Sequence, residues 1–389
     1  MVLPSLTIAA ATPIHRRGIM MKRNGQSSIV AVDLFCGAGG LSKGLQMAGI
    51  DVRMGIDNDP ACRYPFEANT EALFLHESVR RLDGSQISEV LHDRSYTLVA
   101  GCAPCQPFSR YRQGQDNPRD GRWRLLGEFL RLVLQVRPDL VTMENVPRLA
   151  ETNIFTRFVK RLTATGYTVW HATVRCVDYG VPQRRERLVL LASKLGPISL
   201  ISPTHTGNFL TLRQAISALP QLAAGGEHPD DPLHKAATLS PTNLRRIRHS
   251  KPGGTWRDWH GSLVAACHRK RSGKTYPSVY GRMSWDEPAP TVTTQFFGFG
   301  NGRFGHPDQD RAISLREGAI IQSFPKDYRF VEPGQPIHFK TLGRLIGNAV
   351  PVRLGEAIGR SLMKHVRDHV SADEQPTAQR SPRCCPIAP

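Results

Sequence analysis

Segment 28–35, SIVAVDLF, is almost wholly apolar and rich in β-branched residues, which predicts a strand buried on both faces. CGAGG (36–40) follows, and LSKGLQMAG behind it has the spacing of a short amphipathic helix stopped at Gly49. DVRMGIDND (51–59) reads as a second strand ending in carboxylates, and SYTLVAGCAP (95–104) as another running into a proline-rich loop. LGEFLRLVLQVRP (126–138) and IFTRFVKRLTATGY (154–167) repeat apolar residues at helical spacing, with Gly166 as a stop for the second. PDLVTMENV (138–146) and ERLVLLAS (186–193) return to strand. Strands alternating with helices predict an α/β fold with a doubly wound, mostly parallel sheet.

This rhythm fades after residue 197 and returns as helix at 341–367. Between them, residues 203–275 carry 11 Lys/Arg against 4 Asp/Glu, with six His and weak periodicity. The pattern predicts an α/β unit from 28–197 plus 341–370 and a smaller, irregular, basic domain over 198–340. The basic, poorly periodic segment 1–27 reads as a disordered extension, with Met20 or Met21 as an alternative start, and 371–389 as a disordered tail.

Charge sharpens the picture. The 389 residues carry a net charge of +18, with a pI near 10.0, which favours a polyanionic partner, nucleic acid foremost. Eight scattered cysteines in so long a chain read as free thiols of a reducing compartment rather than a disulfide scaffold. Neither a membrane-length apolar run nor the apolar core of a signal peptide is present, so a cytoplasmic protein is expected.

The loop FCGAGG has the glycines of a ligand-binding turn at the carboxyl end of a strand. Ser42 stands where the third glycine of a dinucleotide fingerprint belongs, so a tight structural turn explains the loop equally well. Asp57 lies 18 residues after Gly39, near the spacing of a carboxylate that holds ribose hydroxyls, with Asp59 as its competitor. Loop and acid together fit a nucleoside cofactor without separating a nicotinamide from S-adenosylmethionine.

GCAPCQPFS (101–109) sets Cys102 and Cys105 at C-x-x-C spacing directly after a strand. A zinc half-site lacks a second ligand pair, and Pro104 and Pro107 disfavour the helix start of a thioredoxin-like motif. A small buried thiol is the simple reading for either cysteine, and we adopt it for Cys102.

PCQ-x-FS resembles the nucleophile loop of DNA cytosine-5 methyltransferases, and further motifs of that family follow in order. DLFCGAGGLSKGL (33–45), ENV (144–146), QRRER (183–187), TVTT (291–294), REGAIIQSFP (316–325) and IGNAVPVRLGEAIG (346–359) resemble its cofactor, base-binding and closing motifs. The resemblance implies a Rossmann-like S-adenosylmethionine methyltransferase fold, with a target-recognition domain in the basic region. It implies Cys105 as the nucleophile, with Glu144, Arg187 and Arg185 as catalytic partners. It places Phe35, Gly37, Ala38, Gly39, Gly40, Leu41, Asp57, Asn58, Ser78, Pro104, Leu125 and Asn348 at the cofactor, and Gln106, Phe108, Ser109 and Gln183 at the substrate. No metal is implied. Ser78 departs from the family, which has Asp there to meet the adenine amine, so a weaker hold on the cofactor is expected. Arg257, Arg269 and Asn243 are candidates for reading base edges.

The implied reaction is methylation of cytosine C5 in double-stranded DNA, on a base flipped out of the duplex. A tRNA cytosine-5 methyltransferase and a catalytically inactive DNA-binding module are the alternatives. A monomeric, nucleoid-associated bacterial enzyme is expected, with a restriction endonuclease acting on the same sequence as a functional counterpart.

Overall fold

The computed structural model describes residues 28–92, 95–104 and 124–373. Its centre is a seven-stranded sheet in the order β3-β2-β1-β4-β5-β8-β6. The strands are β1 (Ile29–Leu34), β2 (Asp51–Asp57), β3 (Leu73–His76), β4 (Tyr96–Gly101), β5 (Leu140–Asn145), β6 (Thr168–Arg175) and β8 (Glu186–Ser193). β1 to β5 pair in parallel, and β8 runs antiparallel between β5 and β6. The predicted doubly wound, mostly parallel sheet is therefore the observed one.

β1 shows how the sequence builds the layers. All six of its residues are buried, and they alternate between the two faces of the sheet. Ile29 and Ala31 join the core beneath α1 (Gly40–Met47), α2 (Arg63–Thr70) and α11 (Val352–Asp373). Val30, Val32 and Leu34 join the opposite core, roofed by α3 (Gly84–Leu91), α4 (Arg124–Val136) and α5 (Asn153–Ala164). Burying a Val or Leu on either face contributes about 1.5–3 kcal/mol.

α1 crosses α11 where Gly44 lies so close to Val352 and Gly355 that a Cβ would meet backbone at 2.4–2.6 Å. Helices can approach that nearly only over glycine. β6 was not legible as a strand, because it is an edge with alternating half-exposed positions and flanks more polar than those of β1.

The remaining elements extend from this scaffold. They are β7 (Gln183–Arg184), α6 (Leu212–Ile216), β9 (Glu227–His228), β10 (Asp231–Lys235), α7 (Pro241–Arg248), α8 (Ala266–Arg269), β11 (Ala289–Pro290), α9 (Leu315–Ile321) and α10 (Phe339–Asn348). Residues 198–340 do not share one separate interior. Leu212, Leu233, Met283, Val292 and Phe296 belong to the same core as Ile29 and Leu98. A distinct aromatic core is confined to Ile247, Trp256, Trp259, Phe299 and Ala312 with their neighbours. The helical stretch after residue 340 is two helices, α10 and α11, broken at Ala349–Pro351.

Among the described residues no helix is long and apolar enough to cross a membrane.

Candidate active site

β1 sends its successors to β2 on one side and lies against β4 on the other, so the sheet's order reverses here. Ligands of such sheets bind at the carboxyl ends of the strands beside this reversal. The two loops singled out in the sequence meet there: Cys102 N–H donates to Leu34 O at 3.2 Å.

The glycines of the first loop do different jobs. Gly39, with φ 86°, packs under Tyr328, whose hydroxyl lies 2.9 Å from where a Cβ would sit and donates to Ala38 O at 2.5 Å. A Cβ on Gly40 would lie 2.3 Å from Val350 O. Gly37, with φ 54°, faces open space. Phe35 precedes it with φ 60°, an uncommon conformation for a bulky residue that turns the chain out of β1. The loop is thus clamped at Gly39 and Gly40 and open at Gly37. Ala38 and Leu41 are buried in the core, Leu41 on α1.

Asp57 closes the open side. Its carboxylate accepts the N–H of Gly37 and that of Asp59, each at 3.0 Å, and burial raises its pKa above the usual carboxylate value. Each oxygen takes one of these donors and keeps acceptor capacity for a ligand. Asp59 is spent otherwise, capping Ala61 N–H and pairing with Arg344 of α10. The geometry separates the two competitors in favour of Asp57.

Asn58 is exposed beside it, and its carbonyl meets His76 Nε2 at 3.2 Å. Ser78 is half-buried, with its Oγ accepting the N–H of Arg80 at 3.4 Å, while Glu77 turns back to accept the N–H of Ser78 at 2.7 Å. Pro104 is exposed at the end of β4, and Leu125 packs half-buried at the start of α4. The donor set fits a nucleoside bearing ribose hydroxyls: an open cradle at Gly37 and a buried acceptor at Asp57.

One buried acid escaped the sequence reading. Asp33 lies fully inside at the end of β1, accepting from Ser42 Oγ at 2.6 Å. Burial, with Asp57 nearby and Ser42 opposing, pushes its pKa up to about 7.

The second part of the site is a cleft of about 1390 Å³ between the sheet's carboxyl edge and the basic region. Glu144, the last acid of β5, stands in it with 3% of its side chain exposed, and its Oε1 lies 2.8 Å from Arg187 Nε on β8. The antiparallel pairing of β5 with β8 brings these two residues together. Asn145, next to Glu144, donates its amide to Ala103 O at 2.9 Å and so fixes the β4 loop. Cys102 is half-buried rather than packed away, and its thiol donates to Glu144 Oε2 at 3.0 Å.

Arg185 has different neighbours from Arg187. It is buried, and its guanidinium donates to Val292 O at 3.0 Å, Gly347 O at 3.2 Å and Ala349 O at 3.5 Å. Gln183 is likewise buried, accepting Val292 N–H at 2.7 Å and donating to Gln322 Oε1 at 2.8 Å. These two side chains knit the segments around residues 183, 292, 322 and 347 into one wall. Arg185 is at the same time among the residues that line the cleft with Arg187. Asn348, exposed at the end of α10, lines the same cleft together with Thr291–Gln295. Two residues on, Val350 O lies against Gly40 of the glycine loop.

Cys105, Gln106, Phe108 and Ser109 lie outside the described residues.

The candidate base readers are engaged locally. Arg257 donates to Lys274 O and lies over Trp256, Arg269 donates to Gly261 O, and Asn243 accepts from Arg246. The remaining cleft cations include the exposed Arg148 and Arg175.

With this geometry in hand, sequence comparison decides the family: residues 29–364 match the C-5 cytosine-specific DNA methylase model. The chain belongs to that family. The methyltransferase is 50% identical over 338 residues to the type II methylase M.HgiDII of Herpetosiphon aurantiacus, covering 86% of this chain and 94% of that one. It is 32% identical over 343 residues to the type II methyltransferase M1.HphI of Haemophilus parahaemolyticus, covering 87% of each. Its fold is similar to the crystal structure of a prophage-encoded DNA modification methyltransferase from E. coli, with TM-score 0.68 and 22% identity, covering 87% of this chain and all of that one. The chain is a DNA cytosine-5 methyltransferase.

Proposed function

We propose that this methyltransferase uses S-adenosylmethionine to methylate cytosines within a specific sequence of double-stranded DNA, with Cys105 as nucleophile and Glu144 and Arg187 holding the flipped base. The observation that carries the reading is the Glu144–Arg187 pair, buried at 2.8 Å in a cleft large enough for a base. Glu144 presents a hydrogen-bonding edge, and Arg187 adds a fixed cation beside it. These are the groups a cytosine needs at its N3, exocyclic amine and O2.

Cytosine C5 is a weak nucleophile. The Cys105 thiolate adds to C6, and the ring's displaced electron pair makes C5 an enamine carbon. Glu144 donates a proton or hydrogen bond at N3 as charge builds there, and Arg187 meets O2. C5 would take the methyl that S-adenosylmethionine supplies when bound, the sulfonium sulfur keeping the bond pair and leaving as the thioether. C5 then loses its proton to a base, the electron pair re-forms the C5–C6 double bond, and the Cys105 thiolate leaves. Gly37 and Asp57 hold the cofactor's nucleoside, with Phe35, Asn58, Ser78, Pro104 and Leu125 around it. Gln106, Phe108 and Ser109 are read from their motif as base contacts, and Asn348, in the same cleft as Glu144, as a cofactor contact. Gln183 and Arg185 support the cleft wall.

The relatives' names as type II methylases support a role in a bacterial modification system, with a restriction endonuclease of the same specificity as counterpart. A monomer suffices for this chemistry. The catalytic unit is read as 28–197 with 341–370, and 198–340 as the part that recognises the target.

The test is transfer of labelled methyl to duplex DNA and to tRNA by the wild type and by Glu144→Gln. We expect duplex DNA alone to be methylated and the variant to be slower by at least about 100-fold. Methylation of tRNA, or a Glu144→Gln rate near wild type, contradicts the reading.

A further inference from the structure

Glu144 is held by an ion pair at one oxygen and by a hydrogen bond at the other. Arg187, on β8, lies 2.8 Å from Oε1, and the Cys102 thiol, at the end of β4, donates to Oε2 at 3.0 Å. A carboxylate turns easily about its last torsion, which is broad and roughly two-fold. An ion pair on one oxygen leaves much of that freedom. A second donor, arriving from a different strand, fixes the plane.

The position of the Cys102 thiol is itself set by the sheet. Its backbone N–H is bonded to Leu34 O at 3.2 Å, and the next carbonyl, that of Ala103, accepts from Asn145 at 2.9 Å. Since Asn145 follows Glu144 on β5, the same two strand ends are tied twice, once by the Asn145 side-chain amide on a main-chain carbonyl and once through the thiol. Cys176, in the turn after β6, is another thiol near Glu144. It is fully buried, and burial pushes its pKa up to about 12, so it contributes no charge there.

We propose that Cys102 is a positioning residue for methyl transfer: its thiol sets the plane of the Glu144 carboxylate, so that Oε2 faces the pairing edge of the incoming cytosine. A carboxyl oxygen that carries no proton has two acceptor sites, so Oε2 can hold the thiol and the exocyclic amine together while Oε1 carries the proton offered to N3. This deepens the reading of Glu144 as the residue that contacts the base, and rests on it. It replaces the view of Cys102 as inert packing.

Cys102→Val keeps the bulk of the side chain and removes the donor, whereas Cys102→Ser keeps a donor in a smaller side chain. Both are compared with wild type in the full-length chain, measuring kcat, KM for duplex DNA and the thermal midpoint, with Glu144→Gln in parallel. Cys102→Val is expected to lose about tenfold in kcat with KM for DNA almost unchanged, the loss of one hydrogen bond to a charged group. Cys102→Ser is expected to recover most of the rate. A wild-type kcat for Cys102→Val, or a Cys102→Ser variant as slow as Cys102→Val, overturns the proposal and leaves Cys102 as packing. If Cys102→Val fails to fold, Cys102→Ala replaces it under the same criteria. Inactive Glu144→Gln beside a fully active Cys102→Val refutes the role of Cys102 alone. Active Glu144→Gln refutes the base-contact reading beneath it.

Discussion

The sheet and the basic region are held together in opposite ways. In β1, β4, β5 and β8 the inward residues are Val, Leu, Ile, Ala and Met, and cohesion follows from apolar area removed from water. Between residues 240 and 317, buried arginines do the same job. Arg282, 5% exposed, donates to the carbonyls of Ile247, Ser250, His306 and Gln309 and pairs with Asp310. Arg311, fully buried, makes two hydrogen bonds of 2.7 Å to Glu317, and Arg316 grips Asp231 and Tyr328 O. Arg246 lies over Trp259 and Tyr280.

The comparison teaches that a basic composition does not translate directly into phosphate contacts. Several of the cations that give the chain its charge are structural. They close irregular loops by satisfying backbone carbonyls that have no strand partner.

The comparison breaks most sharply at Arg282. Arg282→Met leaves four carbonyls without that donor, while the half-exposed Asp310 keeps Arg248, so a loss of about 3–5 kcal/mol is expected from the unpaired carbonyls. Because that region shares the sheet's core, denaturant unfolding should move to a lower midpoint, with DNA binding weakened more than S-adenosylmethionine binding by calorimetry. A loss below about 1 kcal/mol would place the cohesion of that region in its aromatic core instead.

A smaller effect separates the two regions by pH. Asp33, in the sheet, has its folded pKa raised to about 7, chiefly by burial. Its contribution to stability is full below the unfolded value of 3.8 and is lost as pH rises through about 7. His306, in the basic region, is lowered by burial to about 4 from 6.5. Its contribution is full above 6.5 and is lost as pH falls toward about 4. Each effect is on the order of 3 kcal/mol. Asp33→Asn should remove the alkaline loss and His306→Asn the acidic one, read from unfolding midpoints between pH 4 and pH 8. Parallel pH profiles for wild type and both variants would contradict the assignment.

The same contrast explains what the sequence could tell. β1, α4, α5 and β8 were legible because periodic apolar positions face a core. Gly37 and Asp57 were legible because a strand, a glycine loop and an acid stand at a spacing that chemistry requires. Asp33 was hidden by its own strand, where a buried acid looks like part of an apolar run. Arg185 and Gln183 were legible as a motif, but their partners were not, since these lie 100 or more residues away. Arg257, Arg269 and Asn243 looked free in a polar sequence, and the fold spends each on a neighbour. The Cys102–Glu144 contact joins two strand ends 42 residues apart, which no local pattern announces.

Covalent attack on the target base tests the account most directly. A duplex carrying 5-fluorocytosine, at the site found by bisulfite sequencing of DNA from cells expressing the gene, is incubated with the protein and S-adenosylmethionine. The fluorine cannot leave as a proton does, so a stable protein–DNA adduct should accumulate, and peptide mass spectrometry should place it on Cys105. Absence of an adduct, or an adduct on another residue, would contradict the mechanism.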